Sequence, residues 1–199
     1  EPIAADPPGA EVERKLGALR AMLARRGLPA AALARTDAVA WITGGLTNRI
    51  EPGNPASVAW VLVTPRAAHV VTTNVELPRL EAEAELEAFE LHGVDWFDDR
   101  GFVRLVEELA EVPAARVGGL GEDIADDMVE LRLVLDAAEQ ARLTSLAGDT
   151  VSVLETAARQ WVPGELDLDV QARVTAGLEA KGAFGACCIV GGDDRVQRF

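Results

Sequence analysis

Apolar residues recur at two different spacings along this chain, and each spacing predicts a different kind of element. Over 11–26 they return every three or four positions, which predicts an amphipathic helix, and Gly27 stands where a glycine commonly ends one. The runs 58–64 and 67–73 are instead rich in β-branched residues and separated by two residues, which predicts a β-hairpin. The opening of the chain therefore combines a helix with a sheet.

Strands continue to alternate with helices up to about residue 135, which predicts an α/β layer with a mixed sheet. The further predicted strands are 30–34, 89–96 and 116–120, and the further predicted helices are 77–86, 102–111 and 123–135. Beyond that point we expect a long helix over 137–161, a break at Pro163-Gly164, a helix over 168–181 capped by Asp167, and a strand over 184–190.

This change in pattern predicts a flexible lead-in over 1–10, an α/β domain over 11–135 and a different segment over 136–199. The last segment contains two helices and one strand. A strand without a partner leaves backbone groups unpaired, which costs free energy when they are buried. We therefore expect the sequence to stop within a domain.

Composition narrows the class of protein. The chain has 199 residues, 49% of them apolar, with 33 Asp+Glu against 19 Lys+Arg and a formal net charge of −14. This apolar share excludes a disordered chain, and the negative balance argues against a nucleic acid or an anionic membrane as partner. No apolar run approaches the roughly 18 residues of a membrane span, and no export leader is visible, although a removed leader would leave no trace.

The two cysteines, Cys187 and Cys188, are adjacent, which is unlike a disulfide framework and indicates a reducing compartment. We expect a soluble, cytoplasmic protein. On a strand these two side chains would point to opposite faces, and their simplest interpretation is as small apolar residues rather than nucleophiles.

Titratable residues offer little chemistry in the sequence alone. His69 and His92 each lie on or near a predicted strand with no clustered carboxylate–histidine spacing, so each is interpreted as a packed or edge-strand histidine. Two histidines and a vicinal cysteine pair do not supply a closed zinc site. The acidic stretches 81–90 and 122–130 could in principle hold a cation, but their spacing follows the solvent faces of helices.

Two loops carry candidate substrate-contacting residues. The loop 44–57 spans 14 residues and contains the polar pair Asn48-Arg49, and loops of this length are usually functional or disordered. Arg49 can grip a carboxylate with two hydrogen bonds, although a solvent-exposed loop charge is the simpler alternative. Asp193 and Arg195 follow two glycines after the last predicted strand, where a site and a polar turn are equally consistent with the sequence.

The order of these segments resembles the creatinase, prolidase and aminopeptidase P superfamily, the pita-bread metallohydrolases. The resemblance rests on DAVAWITGG before the arginine loop, on the hairpin VAWVLVTP–AHVVTTNVE and on ARLTSLAGDTVSVLETAARQWVPGELDLDVQARVTAGLEAKG. It covers nearly the whole chain from Glu11 onward. It implies a creatinase-type N-terminal domain with a mixed sheet and flanking helices, followed by the incomplete α+β beginning of a pita-bread catalytic domain. One departure is Leu166, where the family usually has a Thr or Ser cap that Asp167 would replace.

The resemblance also implies a metal-dependent hydrolase of Xaa-Pro peptides in a full-length parent. Such enzymes hold two divalent ions, Mn, Co or Zn, through two aspartates, a histidine and two glutamates that lie later than this sequence reaches. No catalytic or metal residue is therefore assigned within these 199 residues, and the chain alone is expected to be inactive. Because family N-terminal domains often lend a polar loop residue to a neighbouring subunit, Asn48, Arg49 and Trp41 are candidate substrate-binding residues of a homodimer or higher homo-oligomer, together with Asp193 and Arg195.

Two alternatives remain open at this point. The chain could be a non-catalytic dimerisation or binding module with the creatinase fold, or part of a creatinase-like C–N hydrolase or lyase, because a fold does not fix a reaction. The reading frame beyond Phe199 separates the enzyme from the module.

Overall fold

The structure, a computed structural model, describes residues 9–51, 53–185 and 187–198. Most of the predicted lead-in over 1–10 lies outside these residues, and the first helix already begins at Ala10. The chain forms two compact units that divide between Leu135 and Asp136. The assignment of these units to a creatinase-like domain and to the start of a catalytic domain stays a prediction. No helix in the described part is both long enough and apolar enough to cross a membrane.

The first unit is a four-stranded sheet with helices packed on it. Its elements are α1 (Ala10–Arg26), β1 (Ala31–Arg35), α2 (Thr36–Ile42), β2 (Ala56–Val63), β3 (Ala68–Thr73), α3 (Leu77–Glu83), β4 (Glu90–Val94), α4 (Gly101–Ala110) and α5 (Ala125–Leu133). The strands lie in the order β1-β2-β3-β4, with the first two pairs antiparallel and the β3–β4 pair parallel. The predicted α/β class and mixed sheet are confirmed.

The predicted hairpin forms because β2 and β3 are joined by a tight turn, in which the Thr64 N–H donates to the Ala67 carbonyl at 3.0 Å. A parallel pair cannot be closed by such a turn and needs a crossover connection. The crossover between β3 and β4 contains α3. It brings His69 opposite Glu90 and Val71 opposite His92 on the edge of the sheet.

The sheet buries both of its faces. On one face, α1 contributes side chains that are almost completely buried, namely Leu16, Leu19, Met22 and Leu23. On the other face, Leu62 of β2 packs with Val106 of α4 and with Val117. Fully burying side chains of this size contributes about 1.5–3 kcal/mol each, so these two layers hold the sheet rigidly.

The predicted strand over 116–120 is wrong. The chain forms a short 3₁₀ turn over Ala114–Arg116, and Gly118 makes only isolated bridges, one of them to Ala31. The reason lies in Gly119, whose φ is +83° and where a Cβ atom would come within 2.4 Å of the Ala32 carbonyl oxygen. Glycine allows this left-handed backbone and this close approach, and both end the strand after one residue.

The second unit is built on α6 (Ala137–Gln160) and α7 (Asp167–Glu179), with the short α8 (Asp194–Arg198). The two long helices confirm the predictions over 137–161 and 168–181. Helix α6 begins with a capping box in which Asp136 and Glu139 each accept from the other's backbone N–H. The predicted cap of α7 is wrong, because Leu166 occupies the N-cap without a side-chain hydrogen bond and Asp167 is already helical.

The predicted strand over 184–190 is also wrong for its described residues, which are irregular. The physical reason is that a strand needs a ladder partner, and the second unit has no strand among its described residues to provide one. The Gln171 amide donates instead to the Cys188 carbonyl at 3.0 Å. Cys187 and Cys188 are free thiols.

Candidate functional site

The loop after α2 leaves its helix in a fixed direction. The Thr43 hydroxyl donates to the Val39 carbonyl at 2.7 Å and accepts from the Leu46 N–H at 3.2 Å. Gly44 and Gly45 follow with φ values of +75° and +125°, which side chains other than glycine rarely adopt. Helix end and loop start therefore form one locally hydrogen-bonded turn.

Asn48 ties the two sides of this loop together. Its side-chain amide donates to the carbonyls of Thr36, at 3.1 Å, and Leu46, at 3.0 Å, and only 3% of the residue is exposed. The backbone carbonyl of Asn48 accepts from the N–H of Val58, near the start of β2, at 2.8 Å. Asn48 Oδ1 is buried without a hydrogen-bond partner among the described residues. The Asn48 side chain therefore connects the loop, at Leu46, to the first residue of α2, Thr36.

Trp41 is anchored to α1. The Lys15 ammonium lies 5.4 Å from the centre of the Trp41 ring and donates to the Trp41 carbonyl at 2.9 Å. Glu11, one turn earlier on α1, pairs with the same ammonium at 2.5 Å. A cation at the last carbonyls of a helix is favourable because of the helix dipole, so Lys15 fixes the end of α2.

The three predicted residues of this region differ in their exposure to solvent. Trp41 and Asn48 are buried, whereas Arg49 is exposed. A contact of any of them with substrate stays a prediction.

The other two predicted residues belong to the second unit, and both are exposed. Asp193 adopts a positive φ of 46°, and Arg195 pairs with Asp167, the first residue of α7, at 3.3 Å. Asp193 lies in a turn directly before α8, and Arg195 lies within that helix. A role of either residue in substrate binding stays a prediction.

Three titratable side chains meet on the parallel strand pair of the first unit. His69 Nδ1 lies 3.1 Å from His92 Nε2 and 3.4 Å from a carboxylate oxygen of Glu90. The three potential ligand atoms all lie within 4.8 Å of one another. The register explains the meeting: His69 is paired with Glu90, and His92, two residues further along β4, returns to the same face.

This cluster is buried on the side of β3 and exposed to solvent on the side of β4. The His69 side chain is 7% exposed and the Glu90 side chain 67% exposed. Burial lowers the pKa of the His69 imidazole below its usual value, with the Glu90 carboxylate acting in the opposite direction and His92 adding to the decrease. His69 is therefore mostly neutral at pH 7, so a ring nitrogen of its imidazole can accept a hydrogen bond or bind a cation.

The sequence interpretation of two unrelated packed histidines missed this arrangement. The available signal was Glu90-x-His92 on a predicted strand, since residues two apart on a strand share a face. The register against His69 could not be read from the sequence. Of the two acidic stretches considered for a cation, only Glu90 joins a cluster of three such groups in the described part of the chain.

The dinuclear metal centre that the resemblance implies has a different ligand set. Two aspartates, one histidine and two glutamates are required, whereas His69, Glu90 and His92 provide two imidazoles and one carboxylate. The described residues do not fit a dinuclear centre, and no hydrolytic step follows from them.

Comparison with known proteins places the fold. The chain has a TM-score of 0.61 with the dipeptidase PepE from Mycobacterium ulcerans, at 19% identity, over 89% of this chain and 51% of that one. It has a TM-score of 0.60 with the Xaa-Pro dipeptidase from Bacillus anthracis, at 13% identity, over 85% of this chain and 49% of that one. It has the same TM-score with the X-Pro aminopeptidase from Thermotoga maritima MSB8, at 14% identity, over 86% and 49%.

No family model and no curated protein matches the sequence. The chain spans about half the length of the solved structures it matches. At these identities the likeness concerns the fold. The fold that the sequence resemblance predicted is therefore confirmed: this chain has the fold found in the corresponding half of Xaa-Pro peptidases.

Proposed function

We propose that this chain is the N-terminal part of a metal-dependent hydrolase of the aminopeptidase P or prolidase type, and that it does not cleave peptides by itself. The observation that carries the proposal is the structural match: between 85% and 89% of this chain aligns with about half of each Xaa-Pro peptidase.

The second unit supports the same proposal because apolar side chains of α6 are exposed. Helix α6 contributes only Val153 and Ala157 to the buried core, while Leu143, Leu146 and Leu154 are 46–50% exposed. A helix of a globular protein normally buries its apolar stripe, and exposed apolar surface of this kind marks an interaction face. We infer that further protein of the catalytic domain covers this face in the parent enzyme.

Within this proposal, Arg49 is the residue of the first unit that reaches substrate in a homodimer. Trp41, near the end of α2, and Asn48, within the loop, are buried and would position it, whereas Arg49 is exposed. A guanidinium group suits the carboxylate of a peptide substrate, because it donates two parallel hydrogen bonds. Asp193 and Arg195 would serve as a second polar contact near the substrate.

The test begins with the coding sequence downstream of Phe199. A continuation that supplies the two aspartates, one histidine and two glutamates, in a protein that hydrolyses an Xaa-Pro dipeptide with Mn²⁺, would support the proposal. Residues 1–199 assayed alone should show no turnover. Turnover by this chain alone would overturn the assignment, and a stop codon directly after Phe199 would favour the non-catalytic module.

The role of Arg49 is tested in the longer protein. Arg49→Ala should raise KM about 10- to 150-fold, the loss expected for a charge-assisted hydrogen bond of about 1.5–3 kcal/mol. Arg66→Ala is the matched control, because Arg66 is an exposed arginine in the turn between β2 and β3. Equal effects of the two substitutions would exclude a specific contact of Arg49 with substrate. Light scattering on the same protein tests the proposed homodimer.

A further inference from the structure

The geometry points to a mononuclear Zn²⁺ site formed by His69, Glu90 and His92 on the parallel β3–β4 pair. This inference goes beyond the proposed hydrolase function, because it uses only residues of the first unit and assigns no step in peptide cleavage. The ion would be held by His69 Nδ1, His92 Nε2 and a Glu90 carboxylate oxygen, with water in the remaining position. Two imidazoles and one carboxylate form a ligand set that zinc uses in proteins.

The distances between the ligand atoms fit this coordination. Zinc binds nitrogen and oxygen at about 2.0–2.1 Å, so adjacent ligand atoms of a tetrahedral site lie about 3.3 Å apart. The observed separations are 3.1 Å between the two imidazole nitrogens and 3.4 Å between His69 Nδ1 and the Glu90 oxygen. The third separation, between the Glu90 oxygen and His92 Nε2, is at most 4.8 Å, and the mostly exposed Glu90 side chain can rotate to shorten it.

A cation also satisfies more of the polar atoms than a proton does. His69 Nδ1 faces both His92 Nε2 and the Glu90 carboxylate. A single proton on His69 Nδ1 can be donated either to His92 Nε2 or to the Glu90 carboxylate. The acceptor that does not receive it then has no hydrogen bond from His69. An ion between the three atoms binds all of them at once.

The site lies where a cross-link has a mechanical effect. Strand β4 is at the edge of the sheet and, among the residues that the structure describes, pairs only with β3. His69 belongs to β3, whereas Glu90 and His92 both belong to β4. The ion would therefore fasten the edge strand to its neighbour across the crossover that contains α3. The exposed Glu90 side gives the ion a path from solvent.

The experiment uses the untagged, metal-free chain titrated with Zn²⁺ in excess Mg²⁺, which saturates oxygen-only acidic surfaces. The sequence has two histidines, so every imidazole signal in a ¹⁵N-¹H NMR spectrum belongs to the cluster. We expect one Zn²⁺ per chain by calorimetry, coordination shifts at both rings and a higher melting temperature. Binding that leaves both imidazole spectra unchanged would overturn the site.

Variants separate the cluster from the acidic surface. His92→Gln should weaken Zn²⁺ binding by about 100-fold or more and Glu90→Gln by about 10-fold, since zinc affinity is sensitive even to groups outside the ligand set. Glu87→Gln removes the same charge from an exposed position three residues before Glu90 and should leave affinity within about twofold of the wild type.

Melting of each variant without metal shows whether it is folded before the titration. Wild-type affinity in folded His92→Gln protein would overturn the proposal, and so would equal losses in Glu90→Gln and Glu87→Gln. The Xaa-Pro peptidase assay is unaffected by these outcomes, so failure of the zinc site and failure of the hydrolase proposal can be told apart.

Discussion

The unit that ends at Leu135 and the unit that begins at Asp136 differ in how much apolar surface they bury. In the first, every strand has a partner and both sheet faces are covered. In the second, the buried cluster consists of Val153, Ala157, Val174 and Leu178. Yet the longest helix of the chain, α6 with 24 residues, belongs to the second unit.

This contrast shows that a helix can be defined by local interactions along the chain, even where little apolar surface is buried against other elements. Helix α6 has a capping box and side-chain pairs four residues apart, such as Glu155 with Arg159 at 2.6 Å. Such signals are sufficient to define a long helix, but a helical pair with a small core gains little stability from packing. A strand has no comparable local stabilisation, which is why the described residues of the segment 184–190 are irregular.

The largest expected effect on stability comes from replacing one buried leucine by alanine in the core of each unit. Leu62→Ala, at a fully buried position of β2, should lower the free energy of unfolding by about 2–5 kcal/mol, because the packed sheet cannot collapse around the cavity. Leu178→Ala in α7 should cost clearly less, since its smaller core can adjust. Urea unfolding followed by hydrogen exchange of β2 and α6 peptides measures the two losses separately, and equal losses would contradict the comparison.

An intermediate effect, of opposite sign in the two units, is expected from two glycine substitutions. Gly119→Ala should destabilise the first unit by about 1–3 kcal/mol, because its φ is +83° and the new Cβ would meet the Ala32 carbonyl. Gly148→Ala should stabilise the second unit by about 0.5–1 kcal/mol, since Gly148 lies inside α6 and the new Cβ would meet no atom within 4 Å apart from the neighbouring backbone of its own helix. Thermal unfolding checks both signs. A neutral Gly119→Ala variant would show that the turn after Gly118 is not tightly packed.

The smallest effect concerns a surface ion pair of the first unit. Burial by itself raises the pKa of Asp37, but the hydrogen bond and charge of Arg132, with the charge of Arg35, outweigh it and hold the pKa below 3.8. A lowered pKa in the folded state stabilises above the unfolded value, and this contribution is lost as pH falls through the folded pKa. Because both side chains are more than a third exposed, solvent screening limits the contribution at pH 7 to about 0.2–1 kcal/mol.

Arg132→Gln should therefore lower stability at pH 7 by that amount and have a smaller effect at pH 3. Urea unfolding at the two pH values measures the difference. Arg66→Gln removes the same charge from the turn between β2 and β3 and serves as the control. A loss that is the same at both pH values would mean that Arg132 stabilises the unit by packing rather than through the Asp37 carboxylate.

The parts of the fold that the sequence predicted are those with strong local signals. Helix α1 ends at Arg26 with Gly27 as its cap, as predicted, and the β-branched runs of β2 and β3 pair as a hairpin. Helix α2 was not predicted, because seven residues are too few to show a helical period. Contacts distant in sequence support it: Lys15 binds its last turn, and Arg132 pairs with Asp37 in its first.

The candidate site divides in the same way. The length and polarity of the loop after α2 were visible in the sequence, whereas the burial of Asn48 within it depends on the carbonyl of Thr36, twelve residues earlier. The histidine cluster depends on the register between β3 and β4, which the crossover sets and no local pattern encodes. Sequence reasoning therefore finds residues that act alone and misses residues that act because two strands meet.

The anchoring of Trp41 by Lys15 has a practical consequence. The chain contains two lysines, Lys15 and Lys181. The Lys15 side chain is 6% exposed and Lys181 39% exposed, and each is paired with a carboxylate. An amine-reactive reagent applied to the native protein should therefore modify Lys181 readily and reach Lys15 only when α1 opens. The rate of Lys15 labelling, compared with that of Lys181 in the same sample, thus measures how often α1 opens, with Lys181 as the internal reference.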